Sequence, residues 1–280
     1  MSFVEVQGAK LHVEKVGSGP VLIVVPGANG TGDIFLNIAK YLQDRYTVIM
    51  FDRRGYGDTV MDSSLPDGAA DYMNNYRLMT DAKDVISLAN KFSPKEPVFL
   101  MGSSSGSIVA AEAFVQAPDK FKKVALHECP TSTVIDQETA RNKNIEIVEA
   151  ALKGDVLSAR QEFAEAMHIQ PLDAKMMGMT NDPDAPRPDK KRVAGMMYWF
   201  KYEILQYTGQ PIDWDIFKQN RDKVILLNGT DSVGSTPQLV NQAISEKLNV
   251  PITIIPGGHL GYAQKPEGFA ETLAAVLDQR

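Results

Sequence analysis

A single cysteine, Cys129, stands in a chain of 280 residues, so no internal disulfide can form and a cross-linked fold is excluded. Long apolar runs are missing as well. The longest near the amino terminus, Val21 to Val25, falls far short of the roughly 20 residues that cross a bilayer. The opening Met1-Ser2-Phe3-Val4-Glu5-Val6 has neither the basic start nor the apolar stretch of a signal peptide. Positive charge is in deficit: 29 Lys and Arg against 35 Asp and Glu leave a net charge of -6 and a pI near 5.3. A surface of that sign repels a phosphate backbone. These absences predict a soluble, cytoplasmic protein with neither nucleic acid nor membrane as partner. No P-loop lysine follows the glycine-rich stretches, and Pro26-Gly27-Ala28-Asn29-Gly30 lacks dinucleotide spacing. Asp33, Asp58 and Asp62 show no ligand spacing with one another or with a histidine. The expected chemistry uses no cofactor and no metal.

Apolar residues, at 44%, suffice for one large core. Short Val- and Ile-rich runs alternate with amphipathic stretches, which predicts an α/β fold: a mostly parallel, eight-stranded twisted sheet with helices on both faces. Phe3 to Val6 and Leu11 to Val16 read as an opening hairpin turned at Gly8. The six further strands are Val21 to Val25, Thr47 to Phe51, Val98 to Met101, Val124 to His127, Val224 to Leu227 and Ile252 to Ile255. Leu78, Ala82, Val85, Leu88, Ala89 and Phe92 recur at helical spacing between Tyr76 and Phe92. From 131 to 213 no strand pattern appears, and Met and aromatic residues gather around 176–179 and 196–202. The three prolines of 181–188 mark a loop inside this stretch. The division expected is a core of 1–130 and 214–280 enclosing an inserted helical cap at 131–213, whose Met and aromatic side chains pack its helices or line a pocket.

The chemistry is concentrated at Gly102-Ser103-Ser104-Ser105-Gly106, between an apolar strand and a small-residue helix. This GxSxG pattern sets a serine, Ser104, at the tip of a sharp strand-to-helix turn. A serine hydroxyl is a weak nucleophile and needs a base. Of the four histidines, His259 lies in a glycine-rich loop after the last strand, at the end of the sheet where the serine sits. The carboxylate that orients it is Asp231, after the Val224 strand, or Glu128, in His127-Glu128-Cys129-Pro130. Backbone N–H groups of Ser105 and Ala28 are the candidate oxyanion donors. Arg53 and Arg54 read as bonding loop carbonyls, the alternative being an anionic substrate group. Cys129, beside a carboxylate, reads as a small buried hydrophobe.

On these residues the chain resembles the α/β-hydrolase superfamily over essentially its whole length. Asp52-Arg53-Arg54-Gly55, the serine elbow, the His-Glu-x-Pro run and Gly257-Gly258-His259-Leu260-Gly261-Tyr262 are similar to the branch that includes the fungal zearalenone lactonases. That resemblance implies Glu128 as the third catalytic member with Ser104 and His259. It also implies a substrate-stacking tryptophan in the cap, for which Trp199 stands, and a pocket role for Leu260. Gly27 and Tyr202 complete the candidate substrate contacts. The function implied is cleavage of an ester or lactone of an apolar, aromatic or polyketide substrate through an acyl-enzyme. The alternatives are a slow-turnover ligand receptor of the same fold and a carbon–carbon bond hydrolase. A homodimer is among the expected states.

Overall fold

A parallel strand sandwiched between helical layers buries both of its faces, so it reads as an unbroken aliphatic run rather than as an alternation. The computed structural model, which describes residues 2–180 and 190–279, shows this in β3 (Val21–Val25) and β4 (Thr47–Phe51), every residue of which is buried. They follow the hairpin β1 (Ser2–Val6) and β2 (Ala9–Val16), with α1 (Leu36–Leu42) between them. The chain continues through β5 (Val60–Met61), α2 (Tyr76–Phe92), β6 (Val98–Ser103), α3 (Ser105–Gln116) and β7 (Phe121–His127). Six helices follow: α4 (Gln137–Leu152), α5 (Val156–Ala166), α6 (Pro171–Met176), α7 (Lys190–Tyr202), α8 (Ile204–Thr208) and α9 (Trp214–Gln219). Then come β8 (Val224–Gly229), α10 (Thr236–Leu248), β9 (Ile252–Ile255), α11 (Gly261–Gln264) and α12 (Pro266–Leu277).

The strands form one sheet in the order β1-β2-β4-β3-β6-β7-β8-β9, parallel from β4 to β9 and antiparallel at the hairpin edge. All eight strands expected are present. The two-residue β5, paired with β2, makes a ninth and is too short to leave a periodic signature. Within each strand alternate side chains enter different layers. In β3, Val21, Ile23 and Val25 join Leu78 and Val85 of α2, Ile108 of α3 and Ile244 of α10. Leu22 and Val24 join Ile38 and Leu42 of α1 and Phe269 and Leu273 of α12. No helix among the described residues is long and apolar enough to cross a membrane.

Between β7 and β8 the described residues contain no strand, and the helices there build a third apolar cluster around Ile147, Val148, Trp199, Phe200 and Leu205. The prolines of 181–188 lie outside the described residues. This helical segment is tied to the sheet by a buried ionic cluster. Arg53, in the loop after β4, bonds Asp81 of α2 at 2.9 Å and the two oxygens of Glu203, at the start of α8, at 2.9 and 2.8 Å. Arg77 of α2 pairs with Asp81 at 3.0 Å and Glu203 at 3.2 Å, and the Tyr207 hydroxyl donates to Asp81 at 2.8 Å. Two guanidinium groups and two carboxylates, each at most 1% exposed, balance in charge.

Burying such ions is costly, and removing one leaves an uncompensated charge. Glu203→Ala is expected to destabilise the fold by roughly 3–5 kcal/mol in equilibrium urea unfolding. A loss under about 1 kcal/mol, the scale of an exposed pair, would contradict the description of the cluster as an essential tie.

Candidate active site

Ser104 adopts φ 55° and ψ -131° between β6 and α3, a conformation L-residues avoid. The turn closes because its flanking glycines have no side chain: a Cβ at Gly102 would collide with the Gly106 carbonyl, and one at Gly106 with the Val25 carbonyl. Glu128, at the end of the adjacent β7, is also left-handed, at φ 49°. Such strain costs on the order of 1–3 kcal/mol per residue and gathers where function fixes the backbone.

Glu128 is completely buried and fully bonded. One carboxylate oxygen accepts from His259 Nδ1 at 2.6 Å, and the other from the Gly229 N–H at 2.8 Å and from the Ser232 hydroxyl. Burial pushes its pKa up, but the hydrogen bond and charge of His259, with the charge of His127 and the Ser232 hydroxyl, overcome that and hold it at about 2. In turn, burial pulls His259 down, yet the hydrogen bond and charge of Glu128, aided by the charge of Asp173, raise it above the ordinary histidine value. Asp231 takes no part: its exposed carboxylate accepts from Lys265 Nζ at 2.6 Å and from the Thr230 hydroxyl at 2.7 Å. With Nδ1 engaged, the Nε2 of His259 is free to face Ser104, and both residues line one cavity of about 490 Å³. No hydrogen bond joins them; such bonds commonly tighten only when a substrate docks.

Asp173 is the residue that sequence reasoning missed. It lies in α6, 86 residues before His259, yet its carboxylate accepts from the backbone N–H groups of His259 and Leu260, each at 2.9 Å. Gln264 Nε2 adds a third bond at 2.7 Å. A lone Asp after Pro-Leu carries no motif, and only the fold brings it to the histidine loop.

The loop after β3 is held from behind by Arg53, whose Nε donates to the Pro26 carbonyl at 3.0 Å and whose Nη2 donates to the Gly27 carbonyl at 2.7 Å. The expectation that Arg53 bonds loop carbonyls therefore matches its contacts. In a trans peptide N–H and C=O point in opposite directions, so anchoring the Gly27 carbonyl turns the Ala28 N–H away from Arg53. Ala28 and Ser105 both line the cavity, Ser105 at the amino end of α3, where N–H groups lack helical partners. Arg54 bonds Asp84 at 2.6 and 2.8 Å and the Gln7 carbonyl at 2.6 Å.

Most of the remaining wall is apolar, with Ile135, Phe163, Met167, Ile169, Met177 and Trp199. Trp199 stands edge-on to Phe163, with centroids 4.9 Å apart. Two of the residues expected from sequence as substrate contacts are not on this wall. Leu260 does not line the cavity, because its side chain packs against the core layer of α1 and α12. Tyr202 does not line it either, since its ring packs on Tyr198 with centroids 4.9 Å apart. Gly27 contributes space instead, as a Cβ there would come within 2.8 Å of Ser104 Cβ. Cys129 is buried, which pushes its thiol up to about 12.

Asp58 shows no ligand spacing in sequence, yet the fold brings its carboxylate, Asp52 and His12 within 4.8 Å of one another. Protein partners occupy these atoms. Asp52 Oδ2 accepts from the Asp58 N–H and pairs with His12 Nδ1, each at 2.9 Å, while Asp58 pairs with Lys191.

A family model described as the alpha/beta hydrolase fold matches residues 20–266. The uncharacterized hydrolase YraK of Bacillus subtilis (strain 168) is 26% identical over 283 aligned residues, covering 98% of this chain and 95% of that protein. Zearalenone hydrolase of Bionectria ochroleuca is 22% identical over 277, covering 94% and 92%. The solved structure of the esterase EaEST from Exiguobacterium antarcticum matches with a TM-score of 0.69 at 20% identity, covering 99% of each chain, a likeness of fold.

The charges around His259 make a prediction about its titration, read from imidazole resonances by nuclear magnetic resonance. Glu128→Gln removes the bonded charge and lowers the His259 pKa, Asp173→Asn lowers it by less, and Asp231→Asn leaves it in place. A drop caused by Asp231→Asn and not by Glu128→Gln would contradict this geometry.

Proposed function

The chain belongs to the α/β-hydrolase family, and we propose that it cleaves carboxylic esters or lactones of apolar, aromatic or polyketide-like substrates through an acyl-enzyme on Ser104. The observation that carries this reading is the buried 2.6 Å bond from His259 Nδ1 to Glu128, which holds the histidine beside the cavity that it lines together with the strained serine. Ser104 Oγ attacks the ester carbonyl as His259 Nε2 takes its proton. Glu128 fixes the imidazole tautomer and stabilises the imidazolium. The Ala28 and Ser105 N–H groups receive the oxyanion, in an orientation that Arg53 secures by anchoring the peptide behind Ala28. The imidazolium gives its proton to the departing alkoxide. Water, deprotonated by the same nitrogen, then releases the acid and returns the proton to Ser104.

The helices of 131–213 serve in this reading as a cap over the core of 1–130 and 214–280, and their Phe163, Met167, Met177 and Trp199 set the preference for an apolar group. The size of the cavity suits it, since small-molecule sites commonly span roughly 300–1,000 Å³. The relative named zearalenone hydrolase supports a lactone as the substrate class.

The test is kinetic, on a panel of aryl esters and lactones. Ser104→Ala is expected to lower kcat by about 10⁴-fold or more, and Glu128→Gln by roughly 10³- to 10⁴-fold. The exposed Asp231→Asn should stay within about twofold of the parent. Near-normal turnover by Ser104→Ala would overturn the proposal, and one turnover or fewer per molecule would make the protein a receptor of this fold.

A further inference from the structure

One helix face supplies a polar stripe to an otherwise apolar cavity. Asp136, Thr139, Ala140, Lys143 and Asn144, at the start of α4 and along it, recur at the spacing of a single helical face, and all line the cavity. Most of this stripe is already engaged within the protein. Asp136 caps α4, accepting from the Thr139 N–H at 3.3 Å and the Thr139 hydroxyl at 2.8 Å, and Lys143 donates to Glu162 at 3.1 Å. Asn144 differs. It is only 8% exposed, and among the described residues its side-chain amide makes no hydrogen bond. Neither amide atom is sealed away as a buried orphan, so both keep accessible surface, and the residue lines the cavity. Apart from Ser104, the Ser105 hydroxyl, His259 Nε2 and the indole N–H of Trp199, Asn144 is the one polar side chain on the described wall without a protein partner.

Buried amides are almost always hydrogen-bonded, because withdrawing one from water without a partner is costly. The Asn144 amide, accessible to water while the pocket is empty, meets that cost when a substrate fills the cavity, unless the substrate supplies the partner. We propose, resting on the ester-hydrolase reading above, that Asn144 is a specificity-determining residue that binds an oxygen of the substrate away from the scissile ester. The substrate class is thereby narrowed to apolar esters or lactones bearing a second oxygen, a ketone or a hydroxyl. A ketone accepts from Nδ2. A hydroxyl can accept from Nδ2 and donate to Oδ1. Ligands that lack the oxygen leave the amide unpaired, and sites of this kind discriminate more sharply than apolar walls do.

The experiment measures binding with turnover blocked. In the Ser104→Ala protein, isothermal titration calorimetry compares aryl esters with an unsubstituted acyl or alcohol chain against analogues bearing one ketone or hydroxyl at successive positions. At least one analogue is expected to bind about tenfold or more tightly than its parent. Adding Asn144→Leu should collapse that ratio to within about twofold, and adding Asn144→Asp, which only accepts, should preserve it for the hydroxyl analogue and abolish it for the ketone. Each ratio is internal to one preparation, so a general loss of fold lowers both partners and leaves it unchanged. The inference is overturned if no ester binds, if no analogue exceeds its parent, or if the preference survives Asn144→Leu. Retained preference with no turnover by the parent chain would instead sink the hydrolase reading and leave Asn144 as a ligand-binding residue.

Discussion

The site depends on one hydrogen bond, from His259 Nδ1 to the Glu128 carboxylate. Strand β8 lies between β7, which Glu128 directly follows, and β9, which precedes His259, so the carboxylate must reach across a strand. The left-handed backbone at Glu128 aims it, and the longer glutamate side chain spans the distance. The end of β8 then becomes its cradle: Leu227 accepts the Glu128 N–H at 3.1 Å, and Gly229 donates to the carboxylate. A charge this deeply buried persists only when every oxygen is satisfied. The requirement explains why Ser232 as well as Gly229 is directed at it.

The helices between β7 and β8 reach both halves of the site. Glu203 closes the ionic cluster around Arg53, which anchors the peptides beneath Ala28, while Asp173 binds the backbone of the histidine loop. In the proposed reading the cap therefore positions the catalytic groups as well as selecting the substrate. Separating it from the sheet would disturb the oxyanion loop and the base together.

The strands were legible because burial on both faces writes long aliphatic runs, and the serine elbow because close approach demands Gly102 and Gly106. The choice between Glu128 and Asp231 was not legible from their local sequences, since each follows a strand that ends near the serine. It turns on a backbone torsion and on Lys265, which engages Asp231 instead. Asp173 and Asn144 were invisible for a related reason. One acts through two backbone amides across the fold, and the other stands out only through the absence of a partner. Leu260 and Tyr202 show the converse, in which proximity to a motif in sequence did not place a side chain in the cavity.

The claim that Ser104 is the nucleophile is tested most directly by intact-protein mass spectrometry of reactions quenched in acid within milliseconds, followed by peptide mapping. With a lactone the account predicts a transient gain of the whole substrate mass on the peptide bearing Ser104, because the alcohol stays tethered to the acyl group. Turnover of the lactone with no adduct at any time, or an adduct carried by another residue, would contradict it.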